Sequence, residues 1–147
     1  MPKEWPTLTV RDEQLPIFFD REFSVNALVA THRQLLLRSP MGDSHQDRVD
    51  VLFKVVNAVK LSFALKALTI RVATSEELAA VENDCGVETL SLSGTRVYMI
   101  EGGHSAGYVV ASAAFMIRDR HHAANPSGLL YEINGVEPPT ETVYQLV

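Results

Sequence analysis

The chain has 147 residues, of which 46% are hydrophobic and 21% charged, which fits one globular domain rather than a disordered chain. Its 18 acidic and 13 basic side chains leave a net charge of −5 with no Lys/Arg-rich run, so nucleic acid is disfavoured as a partner and a basic protein is compatible. No apolar run approaches the roughly 20 residues that cross a bilayer, the amino terminus lacks the apolar centre of a secretory signal, and the single Cys85 has no partner for an internal disulfide; a cytoplasmic protein without a membrane partner is expected.

Residues 1–20 place Pro2, Pro6 and Pro16 between short apolar pieces, the pattern of an extended arm laid over the core of a single domain spanning 1–147, with Trp5, Phe18 and Phe19 as anchors. Residues 24–38 alternate partly and read as one or two strands, ended by Pro40. Leu35, Leu36 and Leu37 in succession suit a strand buried on both faces. After a polar turn at 41–46, Val49, Val51, Phe53 and Val55 alternate with Arg48, Asp50 and Lys54 in strand period, although residues 50–63 also fit helical spacing. The apolar parity then shifts, which calls for a bend near Lys66 and Ala67.

Thr74-Ser75-Glu76-Glu77 is a capping box, and Leu78, Val81 and Cys85 line one face of the short helix it opens, with Gly86 placed to end it in a left-handed turn. Residues 87–92 and 96–101 read as strands around Ser93-Gly94-Thr95. Gly102-Gly103 separates them from an almost uncharged run at 108–117, and Asn134-Gly135 marks a late hairpin. The final residues, with Pro138 and Pro139, suit an edge strand or docked tail. The fold class expected is α+β, mainly β: an antiparallel sheet or meander with one short helix packed on it.

Gly103-His104-Ser105-Ala106-Gly107 matches G-x-S-x-G and resembles the nucleophile elbow of the α/β-hydrolase family, which implies Ser105 as nucleophile on a turn between a strand and a helix. That family orders serine, acid and histidine along the chain. Here the only later histidines are His121 and His122, and the only later aspartate, Asp119, lies two residues before them. The β-prone Tyr108, Val109 and Val110 that follow suit a returning strand. A glycine-rich hairpin loop is therefore the expected reading, and a small serine hydrolase using Gly103, Ser105 and Gly107 is the alternative.

The other reactive side chains have structural explanations. His121 and His122 are adjacent and diverge in a strand or a helix, so no metal site is expected there. Cys85 lies at a helix carboxyl end, which disfavours a thiolate. Asp43, Asp47 and Asp50 lack calcium-loop spacing and read as a solvated turn, and Arg118-Asp119-Arg120 as a solvated strand end. No cofactor is implied. The expected function is a non-catalytic protein-interaction domain, inhibitor-like or antitoxin-like, that pairs with another protein or with a second copy as a homodimer. Residues 108–117, apolar on both faces of one strand, need a second cover, for which the twin surface of a second subunit is expected and the amino-terminal arm with Trp5 and Phe18 or the helix after Thr74 are the alternatives.

Overall fold

The computed structural model describes residues 8–86 and 94–147. It is mainly β, as the alternation implies, but the strands form two stacked sheets. In chain order they are β1 (Val10–Glu13), β2 (Ile17–Phe19), β3 (Phe23–Val29), β4 (Gln34–Ser39), β5 (Arg48–Lys54), β6 (Ala58–Lys60), β7 (Ala64–Leu65), β8 (Leu68–Val72), β9 (Arg96–Gly102), β10 (Ser105–Ala111), β11 (Ala113–Asp119) and β12 (Val143–Leu146). Helix α1 (Ser75–Cys85) follows β8, and a 3-10 turn (Gly128–Leu130) leads into one turn of helix, α2 (Tyr131–Asn134).

The larger sheet runs β1-β12-β11-β5-β4-β3-β7 and the smaller β2-β8-β9-β10-β6; every pairing is antiparallel except β1 with β12. Residues 50–63 contribute strands rather than a helix. β5 is buried on both faces, which helical spacing cannot distinguish from a core helix. The bend at Lys66 and Ala67 separates β7 in one sheet from β8 in the other. A change of sheet exchanges the core-facing parity, which is why the apolar phase shifts.

Residues 108–117 are not one strand but two. β10 and β11 meet at Ser112 and belong to different sheets, beside β5 and β6, which change sheet at the same corner. Pairing continues around it: the Asn57 N–H donates to the Val110 carbonyl at 2.7 Å, and the Ser112 N–H to that of Lys54 at 3.0 Å. Val55, at the corner, takes a left-handed φ of 55°, which is strained for a β-branched residue. Between the sheets lie Leu35, Leu37, Val51 and Phe53 from one side and Ile70, Tyr98, Ile100 and Val109 from the other. Each such side chain contributes about 1.5–3 kcal/mol by leaving water. Leu36 faces the other way, into a second cluster with Leu52, Ile117, Leu129 and Val143.

Several local expectations change in this frame. Phe19 is buried but Phe18 is 62% exposed, because adjacent strand residues face opposite ways and β2 has only one core face. Trp5, Pro2, Pro6 and residues 87–92 lie outside the described residues. The arm's described part forms β1 and β2, in different sheets. Leu78 stays exposed, leaving Val81 as the buried anchor of α1. Asn134 ends α2, and Gly135 closes it at a left-handed φ of 66°, so this pair caps a helix instead of turning a hairpin. The carboxyl-terminal strand is interior, between β11 and β1, with Pro138 and Pro139 in the loop before it.

The largest departure concerns charge. Asp50, expected in a solvated turn, is fully buried together with Arg48, and Asp119, expected at a solvated strand end, is nearly so. Arg48 forks onto Asp119 at 2.9 and 3.0 Å, and Arg38 onto Asp50 at 2.7 and 3.0 Å. Their remaining N–H groups donate to the carbonyls of His122, Ala123 and Asn125 at 2.8 to 3.3 Å, lashing that loop over the sheet. Asp47 accepts from Arg21 at 2.6 Å. Removing one member of a buried pair leaves the other charge uncompensated, so Asp50→Ala is expected to lower the unfolding free energy by about 3–5 kcal/mol, against less than about 0.5 for exposed Asp43→Ala, as measured by urea denaturation.

Candidate functional site

The G-x-S-x-G segment is a hairpin. Gly102 pairs with Ser105, leaving Gly103 and His104 as a two-residue loop between β9 and β10. Gly103 has φ of 76° and His104 is not left-handed, the combination of a type II′ turn whose twist matches the flanking strands. A strand follows Ser105, whereas an elbow needs a helix. The Ser105 hydroxyl donates to the Gly102 carbonyl at 3.4 Å. His121 instead faces Glu141 at 3.5 Å, and the His122 Nδ1 accepts from the Ala124 N–H. Among the described residues no three His, Cys, Asp or Glu side chains group to hold a metal.

The glycines have separate reasons. A side chain at Gly102 would overlap Leu65. Gly107 has no positive φ; a Cβ there would overlap the Lys60 carbonyl oxygen of β6. Close backbone approach is the usual meaning of glycine inside a strand.

This close approach forms the floor of an open groove of about 430 Å³ between α1 and the β6 edge of the smaller sheet. Helix α1 begins as expected: Thr74 accepts from the Glu77 N–H at 3.2 Å and donates its own N–H to the Glu77 carboxylate at 3.0 Å. Val81 packs on Val97, Tyr108 and Val110, so this flank of the helix is seated. On the other flank, Ala80 above and Ala106 and Gly107 below are too small to close the gap. Met99 completes the apolar floor, while Lys60, Asn83 and Asp84 form the rim.

Two polar clusters frame the groove. At one end Arg71 holds Glu77 at 2.6 and 2.7 Å and Glu101 at 2.9 Å. The guanidinium, helped by the Thr74 amide, keeps Glu77 down at about 2. At the other end the Tyr108 hydroxyl donates to Asp84 at 2.7 Å, and Lys60 approaches the same carboxylate at 3.4 Å. Burial and the neighbouring Asp84 push Tyr108 up to about 12, so the phenol stays protonated at neutral pH; its hydrogen bond, with Lys60, lowers Asp84. The arrangement holds charge and shape in place but sets no base beside a nucleophile.

The chain matches no protein-family model, no curated protein and no solved structure.

Sequence reasoning did not assemble Lys60, Asp84 and Tyr108, which lie 24 residues apart on three elements. Two signals were present: an aspartate in a last helical turn without any base, and a glycine within a strand. Residues 108–117 are covered by other elements of the chain, the helix after Thr74 among them. Strands β10 and β11 each have neighbours on both sides, and their outer faces meet α1 and the Leu129 cluster respectively. No described helix is long and apolar enough to cross a membrane.

Gly103→Ala is expected to cost about 1–2 kcal/mol through its left-handed φ. Gly107→Ala should cost more, because β6 must move, and thermal midpoints will rank the two. Glu77 has a folded-state pKa below its ordinary 4.5, so its pairing contributes stability above that value and loses it as pH falls towards 2. Urea midpoints of Glu77→Gln should therefore show a shallower decline than wild type between pH 4.5 and 2.

Proposed function

We propose that this chain is a non-catalytic interaction domain of the cytoplasm, inhibitor-like or antitoxin-like, that docks a segment of another protein in the groove beneath α1. The observation that carries this reading is the groove itself: open, apolar in its floor, and bordered by side chains fixed in place without a nucleophile among them. Charge supports it. Helix α1 bears Glu76, Glu77, Glu82 and Asp84 and no base, on a chain of net charge −5, which favours encounter with a basic partner. Another protein is preferred over a second copy because the apolar run on which self-association rested is covered within the chain.

Ala80→Tyr fills the groove from the exposed side of α1 without touching Val81. Wild type is expected to retain a specific protein in affinity capture from its source cells, Ala80→Tyr to lose it with an unchanged circular dichroism spectrum, and Ser105→Ala to retain it. Equal capture by Ala80→Tyr would overturn the assignment, and labelling of Ser105 by a fluorophosphonate would restore the hydrolase alternative.

A further inference from the structure

The groove carries a more specific statement, which rests on its reading as a docking site. Asp84 lies in the last turn of α1, where the backbone carbonyls present the negative end of the helix and no helical base offsets them. The two negative features coincide at the rim. Within the chain their cation is Lys60, but its ammonium stands 3.4 Å away and is 63% exposed, longer than the 2.7–2.9 Å usual for a charge-assisted bond. Tyr108 donates to the same Oδ2, leaving the carboxylate's other oxygen without a hydrogen bond among the described residues. Glu77 is occupied by Arg71 in a two-pronged pair. Asp84 is thus the carboxylate of this groove that is free to exchange its cation.

From these observations we propose that the groove takes an arginine side chain projecting from the partner protein, its stem lying over Met99 and Ala106 and its guanidinium replacing Lys60 on Asp84. A guanidinium suits the position better than an ammonium, because its planar fork can engage both carboxylate oxygens and its stem can cover apolar surface. Lys60 is then a competitor for the site. This separates the proposal from recognition of a zwitterion or an acidic group, for which Lys60 would be a contact.

The test uses the whole protein and two synthetic peptides, acetyl-Ala-Arg-Ala-amide and its neutral citrulline counterpart, with backbone amide shifts as the readout. The arginine peptide is expected to shift Val81, Asp84, Met99 and Ala106. Binding should weaken by about threefold or more in Asp84→Asn and with the citrulline peptide, the scale of an exposed ion pair. Lys60→Met should strengthen it. Both substituted side chains are exposed, and an unchanged amide spectrum away from the groove will confirm that each variant is folded. Equal binding of both peptides, or weakening by Lys60→Met, would overturn the arginine while leaving the groove a docking site. Silence of these amides towards both peptides would also overturn it, whereas the docking reading fails separately, if Ala80→Tyr captures the partner as wild type does.

Discussion

Two guanidinium–carboxylate forks buried on the outer face of the larger sheet hold the rest of the structure in its arrangement. Arg48 and Arg38 sit on neighbouring strands, their carboxylates on β11 and β5, and their spare donors reach the loop that follows β11. That loop has little backbone ladder of its own, so its carbonyls depend on these side chains. Once lashed down, it delivers Leu129 onto Leu36, Leu52 and Ile117, and the chain then enters β12 from the correct side. Desolvating four charges offsets much of what their attraction returns, so the forks contribute less to net stability than to defining where the loop lies.

The second constraint is the corner where β5 runs into β6 and β10 into β11. Carrying one antiparallel pair from one sheet to the other joins the layers without a break in hydrogen bonding. It also removes two long strands from the sheet edges. The edge strands that result, β1, β2, β6 and β7, have only two to four residues each, a length that offers little template for nonspecific pairing.

The two sheets are covered unequally, and this produces the groove. The larger sheet is closed by the lashed loop and its 3-10 turn. The smaller is crossed by a helix seated through Val81, with small residues on the remaining flank. A segment that resembles a catalytic elbow is thereby used as a hinge between strands and as the thin floor of a surface cleft. The same glycines that suit a nucleophile turn also suit a hairpin and a close crossing, because each role requires only the absence of a Cβ.

Much of the local structure was legible in the sequence. The capping box at Thr74, the strand period of β5, the bend at Lys66 and Ala67, and the turn at Gly103 each depend on residues within a few positions of one another, and local sterics and hydrogen bonding decide them. What the sequence could not decide was partnership across the chain. Arg48 and Asp119 are 71 residues apart, and each is by its own chemistry a surface residue; only the approach of the loop after β11 makes burial affordable for both. Likewise Lys60, Asp84 and Tyr108 become one site only because α1 crosses the strands that carry the other two. The run at 108–117 was correctly apolar on both faces, but which surfaces cover it depends on a change of sheet at Ser112, and neutral, short-range pattern carries no information about a corner whose hydrogen bonds join Asn57 to Val110 and Lys54 to Ser112.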